Sequence, residues 1–236
     1  MRDLLKSILF SFYYINVARK NYLPVLLYLV LTQSIIMYVH NIFVVLLFFM
    51  GFLVASSPII INVSRAIIND DAISNEFLSY IDKTYAKLYI KKLFYLLLVI
   101  VITYLAHILI LSPFLPTNDV PRLTMSLYIL LMYMIYIYTR IMFVLPAAAI
   151  NINLHLKDSF NATKGYSVKI YFLYITIIIP YLILSLLISK YAVASEYSVV
   201  FVIISIALQI FFTILSSSLL GYIYKGLVKN KKIIKS

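Results

Sequence analysis

The sequence predicts an all-α polytopic membrane protein, a six-helix bundle with amphipathic helices along one surface. Three observations predict it. Hydrophobic residues make up 64% of the 236 and charged residues only 12%, about half the charged share of an ordinary soluble domain. The apolar residues gather into six long runs. The basic residues fall almost entirely on one side of those runs.

The candidate spans are residues 22–39, 42–63, 93–111, 123–150, 171–188 and 197–224. Each approaches or exceeds the roughly 20 residues that cross a hydrocarbon core. Helices are expected because lipid offers backbone groups no partner, and the alternation of a membrane barrel is missing. No polar stretch is long enough for a separate soluble domain, so 1–236 reads as one integral membrane domain.

Charge sets the orientation. Seventeen of the twenty basic residues lie before the first span, between the even-numbered and odd-numbered spans, or after the last. Arg122 and Lys190 lie on the other side, and Arg140 lies within the fourth span. The positive-inside rule therefore puts both termini in the cytoplasm. Topology also accounts for the net charge of +12, so nucleic acid is not an expected partner. Anionic lipid headgroups at the cytoplasmic face are, since each basic residue near the surface contributes about 1 kcal/mol of attraction. A membrane-protein partner is a further expectation without an identity.

Three amphipathic segments precede the three pairs of spans. Leu5, Ile8, Leu9, Phe12 and Tyr13 make one helical face. Ile73, Phe77, Ile81, Tyr85 and Leu88 repeat the pattern, as do Ile152, Leu156 and Phe160. The reading is three units of interfacial helix plus transmembrane hairpin. The N-terminal segment lacks the continuous apolar core and small-residue site of a cleavable signal.

Chemistry-bearing patterns are scarce. The chain has no cysteine, which removes disulfides, thiol catalysis and cysteine-held metals. His40, His107 and His155 are scattered without an HExxH pattern, so no metal and no cofactor are expected. No P-loop or GxSxG occurs. None of the eight acidic residues lies deep in a span, which argues against a proton-coupled pump and an intramembrane hydrolase. No catalytic residue is assigned, and no enzymatic activity is expected.

Arg140 and Arg65 are the candidate anion or lipid contacts. A charge within a span usually faces protein or water; the alternative for Arg140 is snorkelling to the cytoplasmic surface, and Arg65 reads as an interfacial anchor. Pro58, Pro146 and Pro180 are candidate helix kinks. Asp70, Asp71 and Glu76 read as helix N-terminal charge.

Residues 140–169, RIMFVLPAAAININLHLKDSFNATKGYSVK, join an intraspan arginine, a proline six residues on and an amphipathic D-S-x-x-x-T-x-G. Together with the ending GYIYKGLVK, this resembles uncharacterised six-helix bacterial inner-membrane proteins related to the membrane domain of some glycerophosphoryl diester phosphodiesterases. The phosphodiesterase domain is absent, so the resemblance implies a location and an architecture and transfers no catalytic residue. Abundant Ile, Tyr, Asn and Lys read as AT-biased coding. The expected site is the bacterial inner (plasma) membrane. The expected role is structural or accessory, in lipid organisation or a membrane complex. The alternative is a permease or transporter subunit for an anionic or lipid-like substrate.

Overall fold

The computed structural model describes residues 2–18, 22–36, 42–73, 83–111, 132–133, 135–194 and 198–229. Among these residues the regular structure is entirely helical. Helix α1 spans Arg2–Val17, α2 Leu23–Ile36, α3 Ile42–Ile68 and α4 Thr84–Leu111. Residues 135–141 are helical and lead through a turn into the short α5, Val144–Ala149. Then follow α6 (Leu156–Ala162), α7 (Ser167–Ala194) and α8 (Ser198–Lys229).

Among the described residues, three segments are long and apolar enough to cross a membrane: Met50–Ile68, Ser167–Ile188 and Val199–Leu227. These belong to α3, α7 and α8. Helix α8 packs against α1, α3 and α7, while α5 is held between α3 and α4. One apolar cluster joins α3, α4, α5, α7 and α8; a second joins α1, α2, α3 and α8.

The distribution of side chains is inverted relative to a water-soluble bundle. Leu5, Leu9 and Phe12 of α1 are about 60% exposed, while Ser7 and Ser11 are fully buried. Leu98, Ile102, Leu186, Val199 and Ile203 are likewise exposed, whereas Ser56, Asn62, Ser64 and Ser218 lie inside. Small polar side chains permit close backbone approach, and apolar solvent tolerates an apolar exterior. The pairing is direct: Ser218 Oγ donates to the Ser7 carbonyl at 3.3 Å, and Asn62 Nδ2 donates to the Tyr14 hydroxyl at 3.2 Å.

The helix interruptions have local causes. Pro58 lies inside α3 and offers no N–H to the Val54 carbonyl four residues back. Ser57 Oγ donates to that carbonyl at 2.7 Å, restoring the missing partner. Pro180 lies inside α7. Pro146 instead occupies the first turn of α5, where its missing N–H is not needed, and the chain breaks before it, at residues 142 and 143.

Helix α5 ends in a Schellman motif. Asn151 takes a left-handed φ of 65°, Ile152 N–H donates to the Ala147 carbonyl at 2.8 Å, and Asn151 N–H to that of Ala148 at 3.0 Å. This stops the fourth apolar run where its hydrophobic residues end.

Four of the expected spans have described helices that overrun their limits. Helix α3 continues five residues past 63, α4 begins nine before 93, α7 begins four before 171 and ends six past 188, and α8 continues five past 224. Residues 37–39 of the first run, 123–131 and 134 of the fourth and 197 of the sixth, with Phe77 and Ile81 of the second amphipathic segment, lie outside the described residues.

Candidate functional site

The site is a cluster of basic side chains around residues 149–163. This stretch leaves α5, crosses six non-helical residues and turns through α6. Short helices and a connecting loop leave many carbonyls without backbone donors. Three cations from three different helices meet them.

Arg140 is the centre of the cluster and is only 8% exposed. Its Nε donates to Thr163 Oγ1 at 2.8 Å, Nη1 to the Tyr136 hydroxyl at 3.2 Å and Nη2 to the Phe160 carbonyl at 2.7 Å. The guanidinium also lies 3.9 Å from the Phe160 ring centre, a cation–π geometry. Ser159 Oγ donates back to the Arg140 carbonyl at 2.9 Å. Thus the serine and threonine of D-S-x-x-x-T-x-G are residues that hold Arg140.

The local reason is the end of α6. Lys164 N–H turns to the Asn161 carbonyl, leaving the Phe160 carbonyl to side chains. Thr163 Oγ1 reaches it at 3.0 Å, and Arg140 supplies the charged donor. Gly165 then reverses the chain with φ of 84°, a region that glycine enters without penalty. No described carboxylate pairs with Arg140, so its charge is held by neutral oxygens and the Phe160 face.

Arg65, near the end of α3, has three contacts. Its Nη2 lies 2.6 Å from Asp71 Oδ2, Nη1 reaches the Ala149 carbonyl at 3.5 Å, and the guanidinium lies 4.4 Å from the Tyr85 ring centre. It therefore links α3 and α4 to the end of α5. Asp70, left-handed at φ 59°, pairs with Lys225 of α8 at 2.6 Å. The acidic pair thus bonds two basic residues; residues 74–82 of the amphipathic segment beside it lie outside the described residues.

Lys92 completes the cluster, donating from Nζ to the Leu154 carbonyl at 2.8 Å. Burial and then the neighbouring Lys91 lower its pKa from the usual lysine value, against a smaller opposing effect of Asp158. Sequence reading gave Lys92 no individual role, because its carbonyl partner lies 62 residues away. Asn62 was given no individual role either: a primary amide within an apolar run signals a buried partner but does not say which.

Of the sequence-selected residues, Arg140 and Arg65 both face the 149–163 segment. Pro58 and Pro180 lie elsewhere along α3 and α7, and Pro146 lies at the start of α5. The chemistry available to the cluster is hydrogen bonding and charge stabilisation: it positions a segment at the end of the bundle.

Other openings lie away from it. A 270 Å³ cavity is lined by Phe52, Ile177, Tyr181, Gln209, Thr213 and Ser216 among others. A 320 Å³ apolar groove lies between α1, α2 and α8, and a 160 Å³ pocket lies where α7 begins and α8 ends. Arg140 lines none of the three. No protein-family model, curated protein or solved structure matches this chain.

Proposed function

We propose that this chain is a six-span inner-membrane protein with both termini in the cytoplasm and a structural or accessory role. It organises lipid, or supports a membrane complex, through its cytoplasmic face, and it carries no enzymatic activity of its own. The observation that carries this reading is the clamp on residues 149–163. Arg65, Lys92 and Arg140 hold backbone carbonyls there, so these basic residues build a rigid surface, while exposed Leu5, Leu9, Phe12 and Phe160 offer that surface an apolar contact with the membrane interface. Interfacial helix plus hairpin, repeated three times, is the architecture we favour, together with kinship to the six-helix inner-membrane proteins named above. Anionic headgroups are the expected contacts of the exposed lysines, with Arg65 and Arg140 at the edge of that contact.

Native mass spectrometry after mild extraction tests this reading. A co-purifying protein, or a retained lipid class, is the expected result. A chain that emerges bare and monomeric under conditions that preserve its fold would sink it.

A permease is the second reading, favoured by the 270 Å³ cavity among α3, α7 and α8. Gln209, Thr213 and Ser216 bring polar groups to its wall, next to Pro180. Flux of an anionic or lipid-like solute into liposomes, lost on Gln209→Leu, would favour this reading; absence of flux would remove it.

A further inference from the structure

The 160 Å³ pocket at the α7 start and α8 end carries an assignment of its own. It is lined by Asp3 of α1, Tyr166, Lys169, Ile170 and Leu173 on the α7 side, and Tyr222, Gly226 and Leu227 of α8 among others. Its size compares with a liquid-water share of about 30 Å³ per molecule, so it has room for a polar group of several heavy atoms.

One wall carries a carboxylate and another an ammonium. Asp3 and Lys169 line the same cavity, yet neither forms an ion pair with the other or with another described residue. Both charges are therefore available to an occupant, and they are held apart. Lys6 adds a second cation nearby, 5.8 Å from the Tyr222 ring centre. Opposite charges at separate points of one small pocket match a zwitterion better than an anion, which Asp3 would repel.

The position fits a lipid. The pocket lies at the first turn of α7 and the last turns of α8, beside the basic N-terminal segment. On α7, Ile177 of the 270 Å³ cavity lies four residues beyond Leu173, about 6 Å along the helix. Ile177, Ile178 and Phe212 give that seam between α7 and α8 an apolar wall suited to an acyl chain.

We propose that this pocket binds a phospholipid with a zwitterionic primary-ammonium headgroup, its phosphate at Lys169 and its ammonium at Asp3. The assignment rests on the reading that this end of the bundle lies in the headgroup layer. A primary ammonium donates hydrogen bonds to the Asp3 carboxylate, whereas a quaternary choline cannot. Charge-assisted bonds of this kind correspond to about tenfold in affinity.

The test uses the full chain in nanodiscs of phosphatidylethanolamine, phosphatidylcholine and phosphatidylglycerol, followed by native mass spectrometry of retained lipid. The wild type retains the ethanolamine lipid about tenfold over the choline lipid. Asp3→Asn brings that ratio close to one, and Lys169→Gln lowers retention of both. Gly226→Phe abolishes retention by filling the pocket; a Cβ at Gly226 meets nothing within 4 Å, so the backbone accommodates the start of the new side chain. Far-ultraviolet circular dichroism checks that each variant stays helical. Equal retention of ethanolamine and choline lipids by the wild type, or unchanged retention by a folded Gly226→Phe, overturns the site. Displacement of the lipid by glycerophosphoethanolamine at matched concentration overturns its assignment to a lipid. Retention of other lipids without an ethanolamine preference overturns this site and leaves the broader reading standing.

Discussion

Replacing Arg140 by alanine removes three hydrogen bonds, at 2.8, 3.2 and 2.7 Å, and a cation–π contact. Their loss is not uniform. Thr163 Oγ1 keeps its approaches to the Ser159 and Phe160 carbonyls. The Phe160 carbonyl and the Tyr136 hydroxyl both lose a charged donor, each worth about 1.5–3 kcal/mol. The cation–π contact adds about 1 kcal/mol. Removing a buried cation also removes its desolvation cost, which offsets part of the loss. The net expectation is a destabilisation of about 2–4 kcal/mol, or on the order of 10 °C in Tm for a chain of this size. Thermal unfolding in detergent, followed by circular dichroism, measures it. Arg140→Lys should recover less than half, because a single ammonium cannot reproduce the planar fork. If the Tm of Arg140→Ala stays within about 2 °C of the wild type, the side chain is solvated at the surface and the clamp is wrong.

Other expectations follow the same packing logic. Ser57→Ala should cost about 1 kcal/mol by stranding the Val54 carbonyl, and almost nothing in a Pro58→Ala background, where the backbone N–H returns; a double-mutant cycle measures the coupling. Asn62→Leu leaves Tyr14 without its amide partner and should lower stability by about 1–3 kcal/mol, read as a Tm loss. Gly51→Ala places a Cβ against the Tyr28 hydroxyl, itself fixed by a 2.6 Å bond to the Phe48 carbonyl; a loss of about 1–3 kcal/mol is expected from overpacking, again by thermal unfolding, while Gly226→Ala should be near neutral.

Much of the helical layout was legible because apolar length and charge placement are one-dimensional signals. The fourth run ends near 150 in the sequence, and Asn151 closes α5 there. Arg140 was legible as an unusual charge, and its proximity in sequence to D-S-x-x-x-T-x-G was visible. That Ser159 and Thr163 grip it was not, since this depends on the break at 142 and 143. Pro146 is compatible with either a kink or a new helix start, and only the three-dimensional path selects the latter. The stripe Leu5, Leu9, Phe12 and Tyr13 was also visible. Its outward direction is decided by Ser7 and Ser11 docking on α8, a choice that depends on the solvent around the bundle. Lys92 and Asn62 had no local signal for their partners, because the Leu154 carbonyl and Tyr14 are remote in sequence.

Orientation of the bundle can be read directly, because the chain contains no native cysteine. Single cysteines at Asn118, Lys164, Ser195 and Lys231 would be exposed to a membrane-impermeant maleimide in intact cells and after permeabilisation. Positions 118 and 195 should label in intact cells, and positions 164 and 231 only after permeabilisation. Labelling of Lys164→Cys in intact cells, or of 118 and 231 on the same side, would contradict a six-span bundle whose basic clamp faces the cytoplasm.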